Sequence, residues 1–383
     1  MPQNLEIKAY LPNIDAVPQA CERMGAQLMR SFAQKDTYFK VADGRLKLRE
    51  SEGRLPALIA YERINSPTVR SSDFEILPLA SQADGERLKA MLIDTVGQRG
   101  IVVKFRRVYE KGAALINVDV VEGLGDFVEI EVDAERSGSQ AQALATANEI
   151  SKELGISRAD GVSWSYIDMV KMQEQAKIWR EKLNSHPHRG ALVFLDGASG
   201  TGKTTLAHML AQDEDLSITL VPRFSTREPR QEITESEYVF VKRDEFERLA
   251  QNGDLIEFRD FDFGMSYGLS WQYVAQPLLE GKNALGIINL GSVRHVKEIL
   301  PEALTILMYA SSDTLRSRLV RRGLNNEAQI AERLESSKLA DSYRPFYNHI
   351  IHNEEGGLQH AYDELKRVIS EFVSDRSLSR DVG

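Results

Sequence analysis

The sequence predicts two domains of different class: an antiparallel α+β barrel, followed by an α/β domain whose parallel sheet leads into a phosphate-binding loop. Three observations carry this. The chain has 383 residues, more than one typical domain. Over its first third, apolar and polar residues alternate with period two in run after run, the mark of half-buried strands. Then GALVFLDGASGTGKTTL at residues 190–206 sets a short apolar run before G-x-x-x-x-G-K-T and a helix-forming segment after it.

Taken in order, residues 5–10 alternate and place Glu6 and Lys8 on one face. Residues 15–29 have helix-like spacing. Residues 36–39 and 45–49 read as a hairpin around Asp43-Gly44, with Arg45, Lys47 and Arg49 on one side. Further alternating runs lie at 57–64, 73–79, 101–108, 114–120 and 126–132, where Lys104 and Arg106 share a face, as do Glu129 and Glu131. One wet face is ordinary for an antiparallel sheet. The sign pattern is not ordinary, with cations on some strands and carboxylates on others. A closed barrel lined this way would hold a polyanion together with its metal ions.

Residues 166–175 lead into a helix expected to reach Leu183. The polar stretch 184–189 with Pro187 follows, and its His186 and His188 lack further ligands at metal-binding spacing. Strand 191–195 then ends at Asp196. Gly197, Gly200 and Gly202, with Ser199 between them, let successive N–H groups turn inward around a phosphate, and the helix opening at Lys203, Thr204 and Thr205 adds its dipole. In this motif Lys203 would reach the β/γ-phosphates of ATP and the Thr204 hydroxyl would hold Mg²⁺. Next comes VPRFSTREPR at 221–230, whose Arg223, Arg227 and Arg230 suit a second anion site, since guanidinium forks match phosphate oxygens. Residues 359–373 have helical spacing, and the polar end 374–383 is expected to fray.

Composition bounds the rest. A net charge of −9 argues against broad nucleic-acid binding, and no apolar run is long enough to span a membrane. The single cysteine, Cys21, excludes an internal disulfide framework, and MPQNLEIKAY lacks the apolar core of a signal peptide. A cytoplasmic protein is expected.

The spans LEIKAYL, QKDTYFKVADGRLKLRE, LIAYERINSPTVRSSDFEI, VVKFRRVY and VDVVEGLGDFVEIEV resemble the CYTH family, the triphosphate-tunnel fold of class IV adenylate cyclases and thiamine triphosphatases. GLGDFVEIE is most similar to the cyclase-like branch. The resemblance implies triphosphate contacts at Lys8, Lys47, Arg49, Lys104 and Arg106. It implies Mg²⁺ or Mn²⁺ ligands at Glu6, Glu129 and Glu131, with Asp119 as a further acidic residue. Where that family has E-x-E-x-K, this chain has Asn4, Glu6 and Lys8, so one carboxylate is replaced by an amide, which weakens a hard-cation site.

The second half, about residues 190–373, resembles the guanylate kinase family through STREPR, EYVF, the F-x-E-like IEF, SYG, SRLVRRG at 317–323 and AERL at 331–334. It is also similar to ribose 1,5-bisphosphate phosphokinase. The resemblance implies that Arg227, Arg230, Tyr238 and Tyr267 hold an acceptor phosphate and that Glu257 meets the acceptor's base or sugar. Arg318, Arg322 and Arg333 would then neutralise the phosphoryl group in flight. Three departures weaken guanine specificity: Gln231-Glu232 in a shortened loop, Asn289 in place of an aspartate, and Leu269 in place of a serine.

The expected layout is a triphosphate-tunnel domain at 1–172, a helical linker at 173–189, a P-loop kinase domain at 190–375 and a frayed tail at 376–383. The expected function is transfer of a phosphoryl group from ATP to a nucleoside monophosphate or sugar phosphate, beside a domain that binds or converts a triphosphate. A nucleotide-sensing protein is the competing reading, favoured by Asn4 and Asn289. RNA-end processing is a third, opposed by the acidic balance. Homodimerisation is left open.

Overall fold

The computed structural model describes residues 4–42, 44–61, 74–186, 189–229, 237–260, 265–322 and 327–381. It divides into two compact units, Met1–Lys171 with Asp260–Asp262, and Met172–Arg259 with Phe263–Gly383.

In the first unit the chain runs β1 (Asn4–Tyr10), α1 (Val17–Arg23), β2 (Gln27–Phe39), β3 (Arg45–Ser51), β4 (Ala57–Tyr61), β5 (Phe74–Pro78), α2 (Gln82–Thr95), β6 (Gln98–Lys111), β7 (Ala114–Val121), β8 (Gly125–Asp133) and α3 (Gln140–Glu153). Among the described residues the strands form one eight-stranded antiparallel sheet in the order β1-β8-β7-β6-β2-β3-β4-β5. Alternation gives its two sides opposite chemistry. On one side Leu5, Ala9, Ile116, Val118, Val128 and Ile130 pack with Cys21 of α1 and Ala143, Ala147 and Ile150 of α3. On the other side lie Lys8, Lys104, Arg106, Asp119 and Asp36, all buried. Charged side chains are seldom this deep without partners, and these pair with opposite charges across the strands.

The helix expected over residues 15–29 is shorter than its spacing suggests. Gly25, at φ +72°, closes α1, and the Ala26 N–H reaches back 2.8 Å to the Cys21 carbonyl. The chain then enters β2, which pairs along nearly its whole length with β6. Helices α2 and α3 had no counterpart in the alternation, yet each carries a start signal. Ser81 accepts the Asp84 N–H at 3.1 Å, and Ser139 accepts the Gln142 N–H at 3.2 Å. Cys21 is buried and its thiol is pushed up to about 11 by that burial, which suits packing and not reactivity.

The helix α4 (Tyr166–Asn184) is followed by the second unit's parallel core. Strands β9 (Leu192–Asp196), β10 (Ile218–Leu220), β15 (Asn283–Ile287), β16 (Leu304–Tyr309) and β17 (His349–His352) order as β10-β15-β9-β16-β17. One side of this sheet packs on α5 (Lys203–Ala211) and α11 (Leu358–Asp381) through Leu206, Leu210, Leu365, Val368 and Ile369. A second, smaller sheet joins β11 (Arg223–Ser225), β12 (Tyr238–Phe240), β13 (Leu255–Asp260) and β14 (Ser266–Ser270) in the order β12-β11-β14-β13. The remaining helices are α6 (Arg243–Asn252), α7 (Trp271–Leu279), α8 (Val293–Ile299), α9 (Ser312–Arg322) and α10 (Glu327–Tyr343). Where fraying was expected after residue 373, α11 instead continues to Asp381. No glycine or proline interrupts that stretch, and the Arg376 guanidinium lies 5.7 Å from the Phe372 ring on the same helix. His186 is exposed, in keeping with a loop residue, whereas His188 lies outside the described residues. Among the described residues, no helix is long and apolar enough to cross a membrane.

Candidate functional sites

The loop between β9 and α5 is shaped by glycines that no other residue replaces easily. Gly197, Gly200 and Gly202 have φ of +142°, +95° and +90°. A Cβ on Gly197 would come within 2.3 Å of the Met308 carbonyl oxygen, and one on Gly202 within 2.4 Å of Asn353 Nδ2. Lys203 Nζ folds back over the loop and donates to the carbonyls of Gly197 at 2.5 Å and Ala198 at 2.8 Å. Ser199 is half-buried, and Thr204 and Thr205 are exposed on the first turn of α5, open to a ligand or a hydrated cation.

Two groups brace this loop from behind. Asp196 is fully buried and accepts from Gly197 N–H at 2.6 Å and from Tyr347 Oη at 2.5 Å. Burial pushes its carboxyl up to about 6, against the pull of Tyr347 and Lys203. Arg318 of α9 donates to the Gly200 carbonyl at 3.1 Å and the Glu354 carbonyl at 2.8 Å. The structure therefore places Arg318 at the loop, with its guanidinium engaged by backbone. The side chains of Arg322 and Arg333, and all of Arg230, Gln231 and Glu232, lie outside the described residues.

The smaller sheet and the strand ends beside it assemble the second set of predicted residues. Arg227 lies over the rings of Tyr238 and Phe240, 4.8 and 4.9 Å from their centroids, and Tyr238 meets Tyr267 edge-on at 6.0 Å. Glu257 of β13 is fully buried. Its Oε2 accepts from Asn289 Nδ2 at 2.8 Å and Ser292 Oγ at 2.7 Å. Burial raises its carboxyl above the ordinary range, opposed by Arg223, Ser292 and Asn289. Arg223 was grouped by sequence with Arg227 and Arg230. In the fold it lies 5.4 Å from the Tyr267 ring and donates Nη2 to Asn289 Oδ1 at 2.7 Å. Arg227 lies beyond the end of β11 (Arg223–Ser225), so strand alternation does not tie its direction to that of Arg223, and a buried carboxylate lies within reach of Arg223. Asn289 therefore spends both ends of its amide on Arg223 and Glu257. Leu269 is buried in the core.

In the first unit, the inward face of the sheet gathers every cation that the pattern singled out. Lys8 pairs with Glu129 at 2.9 Å. Arg106 grips Asp119 with two bonds of 2.6 Å and reaches Glu129 at 2.5 Å, while Lys104 joins Asp119 at 2.9 Å. Burial alone would raise Glu129, but Lys8, Arg106 and Lys104 hold it well below the usual carboxylate range. Lys47 and Arg49 both pair with Asp36, at 2.7 Å and at 2.9 Å through two bonds. Burial pulls the Lys47 ammonium down to about 7 against the attraction of Asp36, and Arg49 and Lys104 add to the drop.

Glu6 and Glu131 stand directly opposite each other on β1 and β8. Burial, then the Glu129 and Glu6 charges, push Glu131 up to about 7. A divalent cation would relieve that crowding, so the hard oxygen donors here fit such an ion. Among the described residues no three acidic, His or Cys groups already converge on one point.

Several inward residues escaped the sequence reading. Asp36 was legible in principle, since its register pairs it with Arg49 across β2 and β3. Tyr166 was not, because it comes from α4 and not from the sheet. Its hydroxyl donates to Asp119 at 2.9 Å, and its ring lies 3.9 Å from Lys8 Nζ. The same helix brings Asp168 to Arg45 and Arg99, each at 2.8 Å.

Both halves of the chain match known families in sequence. Residues 189–372 match the guanylate kinase family and residues 2–166 match the CYTH domain. Guanylate kinase of Bacillus subtilis (strain 168) is 31% identical over 183 residues, spanning 47% of this chain and 88% of that protein. That of Lactococcus lactis subsp. lactis (strain IL1403) is 30% identical over 197 residues, 51% of this chain and 95% of that protein. Among solved structures, guanylate kinase from Anaplasma phagocytophilum is 24% identical with a TM-score of 0.39, covering 48% of this chain and 87% of its own. The PH1012 protein of Pyrococcus horikoshii OT3 is 20% identical with a TM-score of 0.37, covering 43% and 97%. Residues 2–166 thus match the CYTH domain, and through its second half the chain belongs to the guanylate kinase family.

Proposed function

We propose that residues 190–375 transfer the γ-phosphoryl group of ATP to a small phosphorylated acceptor, a nucleoside monophosphate or sugar phosphate, and that residues 1–172 bind a triphosphate. The observation that carries the first part is the loop itself, where Lys203 closes over carbonyls that a nucleotide's phosphates would displace it from. Lys203 then carries its charge to the β/γ-phosphates, and the N–H groups of the glycine loop take their oxygens. The Thr204 hydroxyl would hold a Mg²⁺ ion, which would supply charge neutralisation for the transferred group. Arg227 and Tyr238, with Arg230 and Tyr267, orient the acceptor phosphate, and Glu257 fixes its far end. Arg318 holds the loop in shape, and Arg322 and Arg333 supply further positive charge to the transferred group.

Arg227→Ala should raise the acceptor KM about ten- to a hundredfold, equivalent to about 1.5–3 kcal/mol for a charge-assisted contact, with ATP affinity little changed. Steady-state kinetics with each substrate varied in turn check this. A pure loss of ATP affinity would move Arg227 to the donor side and sink the assignment.

For the first half, the cations Lys8, Lys47, Arg49, Lys104 and Arg106 are the triphosphate contacts, and Glu6, Glu129 and Glu131 hold Mg²⁺ or Mn²⁺, with Asp119 as their supporting carboxylate. The interior cations are already matched by Asp36, Asp119 and Glu129. That favours binding over rapid turnover, since an incoming triphosphate must exchange places with bound carboxylates. Asn4→Glu adds one carboxylate on β1 and should tighten Mn²⁺-dependent tripolyphosphate binding on the order of tenfold, because affinity tracks ligand charge. Titration calorimetry on the full chain carrying Lys203→Ala isolates this site. Binding that is independent of metal and unmoved by Asn4→Glu would leave these carboxylates with a purely structural role.

A further inference from the structure

Beside the residues proposed to hold the acceptor, two buried groups of opposite charge each keep one polar atom without a hydrogen bond. Glu257 Oε2 has two donors, Asn289 and Ser292, but the buried Oε1 accepts no hydrogen bond. Arg223, with its side chain 12% exposed, gives Nη2 to Asn289 and lies 3.8 Å from Glu257 Oε1, while its buried Nε donates to nothing. Buried polar atoms are nearly always paired, so an unmet acceptor beside an unmet donor is the imprint of a missing partner. The Tyr267 ring, 5.4 Å from the guanidinium, and the Asn289 bond hold Arg223 in this pose.

We infer that Arg223 is a specificity-determining residue of the acceptor site. Together with Glu257 it recognises an uncharged distal group that offers a hydrogen-bond acceptor beside a donor, and it does not hold a second phosphate. The inference rests on the phosphotransfer reading only in taking Arg227 and Tyr238 as the phosphate end.

The charge count argues for the neutral group. Arg223 is already balanced by Glu257, and in a poorly solvated pocket a distal phosphate would face that carboxylate at close range. A group that donates to Oε1 and accepts from Nε meets both needs at once. A nucleobase edge does this with two neighbouring atoms, and a sugar hydroxyl does it with one. A site built on such bonds rejects ligands that leave its groups unpaired.

The test is acceptor binding to the full chain by calorimetry, alongside a coupled kinase assay, with GMP, ribose 5-phosphate and ribose 1,5-bisphosphate as probes. A monophosphate should bind more tightly than the bisphosphate. Which of GMP and ribose 5-phosphate binds better tells a base edge from a hydroxyl. Arg223→Ala should weaken the better monophosphate about ten- to a hundredfold, with the KM for ATP unchanged. Arg223→Lys should rescue only part of that loss, because it keeps the charge without the planar fork. Glu257→Gln should weaken the monophosphate and shift the bisphosphate-to-monophosphate affinity ratio upward by about tenfold, which a merely structural role would not do. Tighter bisphosphate binding by the unaltered chain, no response to Arg223→Ala, or no binding of any probe overturns the inference. Binding with these responses but no turnover leaves it standing and overturns the phosphotransfer reading instead.

Discussion

Lys203→Ala lowers kcat/KM for phosphoryl transfer by about a hundred- to a thousandfold, the usual cost of removing one preorganised charge from a developing anion. The structural bonds that its ammonium makes include those to the loop carbonyls of Gly197 and Ala198, which the first turn of α5 does not need. The melting temperature should therefore hold, and tripolyphosphate binding by the first unit should survive. Comparing the variant's coupled assay with its tripolyphosphate titration checks both statements. Simultaneous loss of the two activities would show that one site serves both, and would end the two-site reading.

Asp119→Asn has the largest expected effect on stability, about 3–5 kcal/mol, because it strips the shared partner from buried cations. Asp119 is fully buried and accepts from Lys104, twice from Arg106, and from Tyr166. Burial would raise its carboxyl, but Lys104 and Arg106 outweigh that and hold it below its ordinary value of 3.8. A carboxyl depressed by folding lends its full stabilisation above the unfolded value and loses it as pH falls through the folded one. Asp36 and Glu129 shift the same way. Glu131, pushed up to about 7 from 4.5, works oppositely, and its contribution is lost as pH rises through that window. Chemical unfolding of the wild type and Asp119→Asn from pH 3 to pH 8, followed by Tyr166 hydrogen exchange, should show the variant's deficit shrink toward the acid end. An equal deficit at every pH would mean that Asp119 acts through shape and not through charge.

The legible parts of this protein were those whose information is contiguous. The phosphate loop is read from neighbouring residues, and the inward cations of the first unit are read from period two alone. What stayed hidden depends on pairings across long stretches of chain. Asp168 meets Arg45 and Arg99 only once α4 is placed. Arg223 finds its partners only once Glu257 of β13 and Asn289, just past β15, are brought to it. The capping serines of α2 and α3 were present but easily overlooked in a region dominated by alternation. The lid arginines could be named from their motif, but an arginine's motif does not say whether its guanidinium faces substrate or, like Arg318, the backbone.

The two-faced sheet of the first unit also governs how this chain tolerates errors in its own assembly. Because neighbouring residues point to opposite sides, a one-residue slip of β7 against β6 or β8 would turn Asn117 and Asp119 toward α1 and α3, and Ile116 and Val118 toward Lys104 and Arg106. Every hairpin misaligned by an odd number of residues would thus bury charge in oil and strand apolar groups among ions, so such slips are rejected by both surfaces at once. A single-residue deletion within β7 should be far more damaging than deletion of two adjacent residues there, since only the latter restores the facing of the residues beyond it.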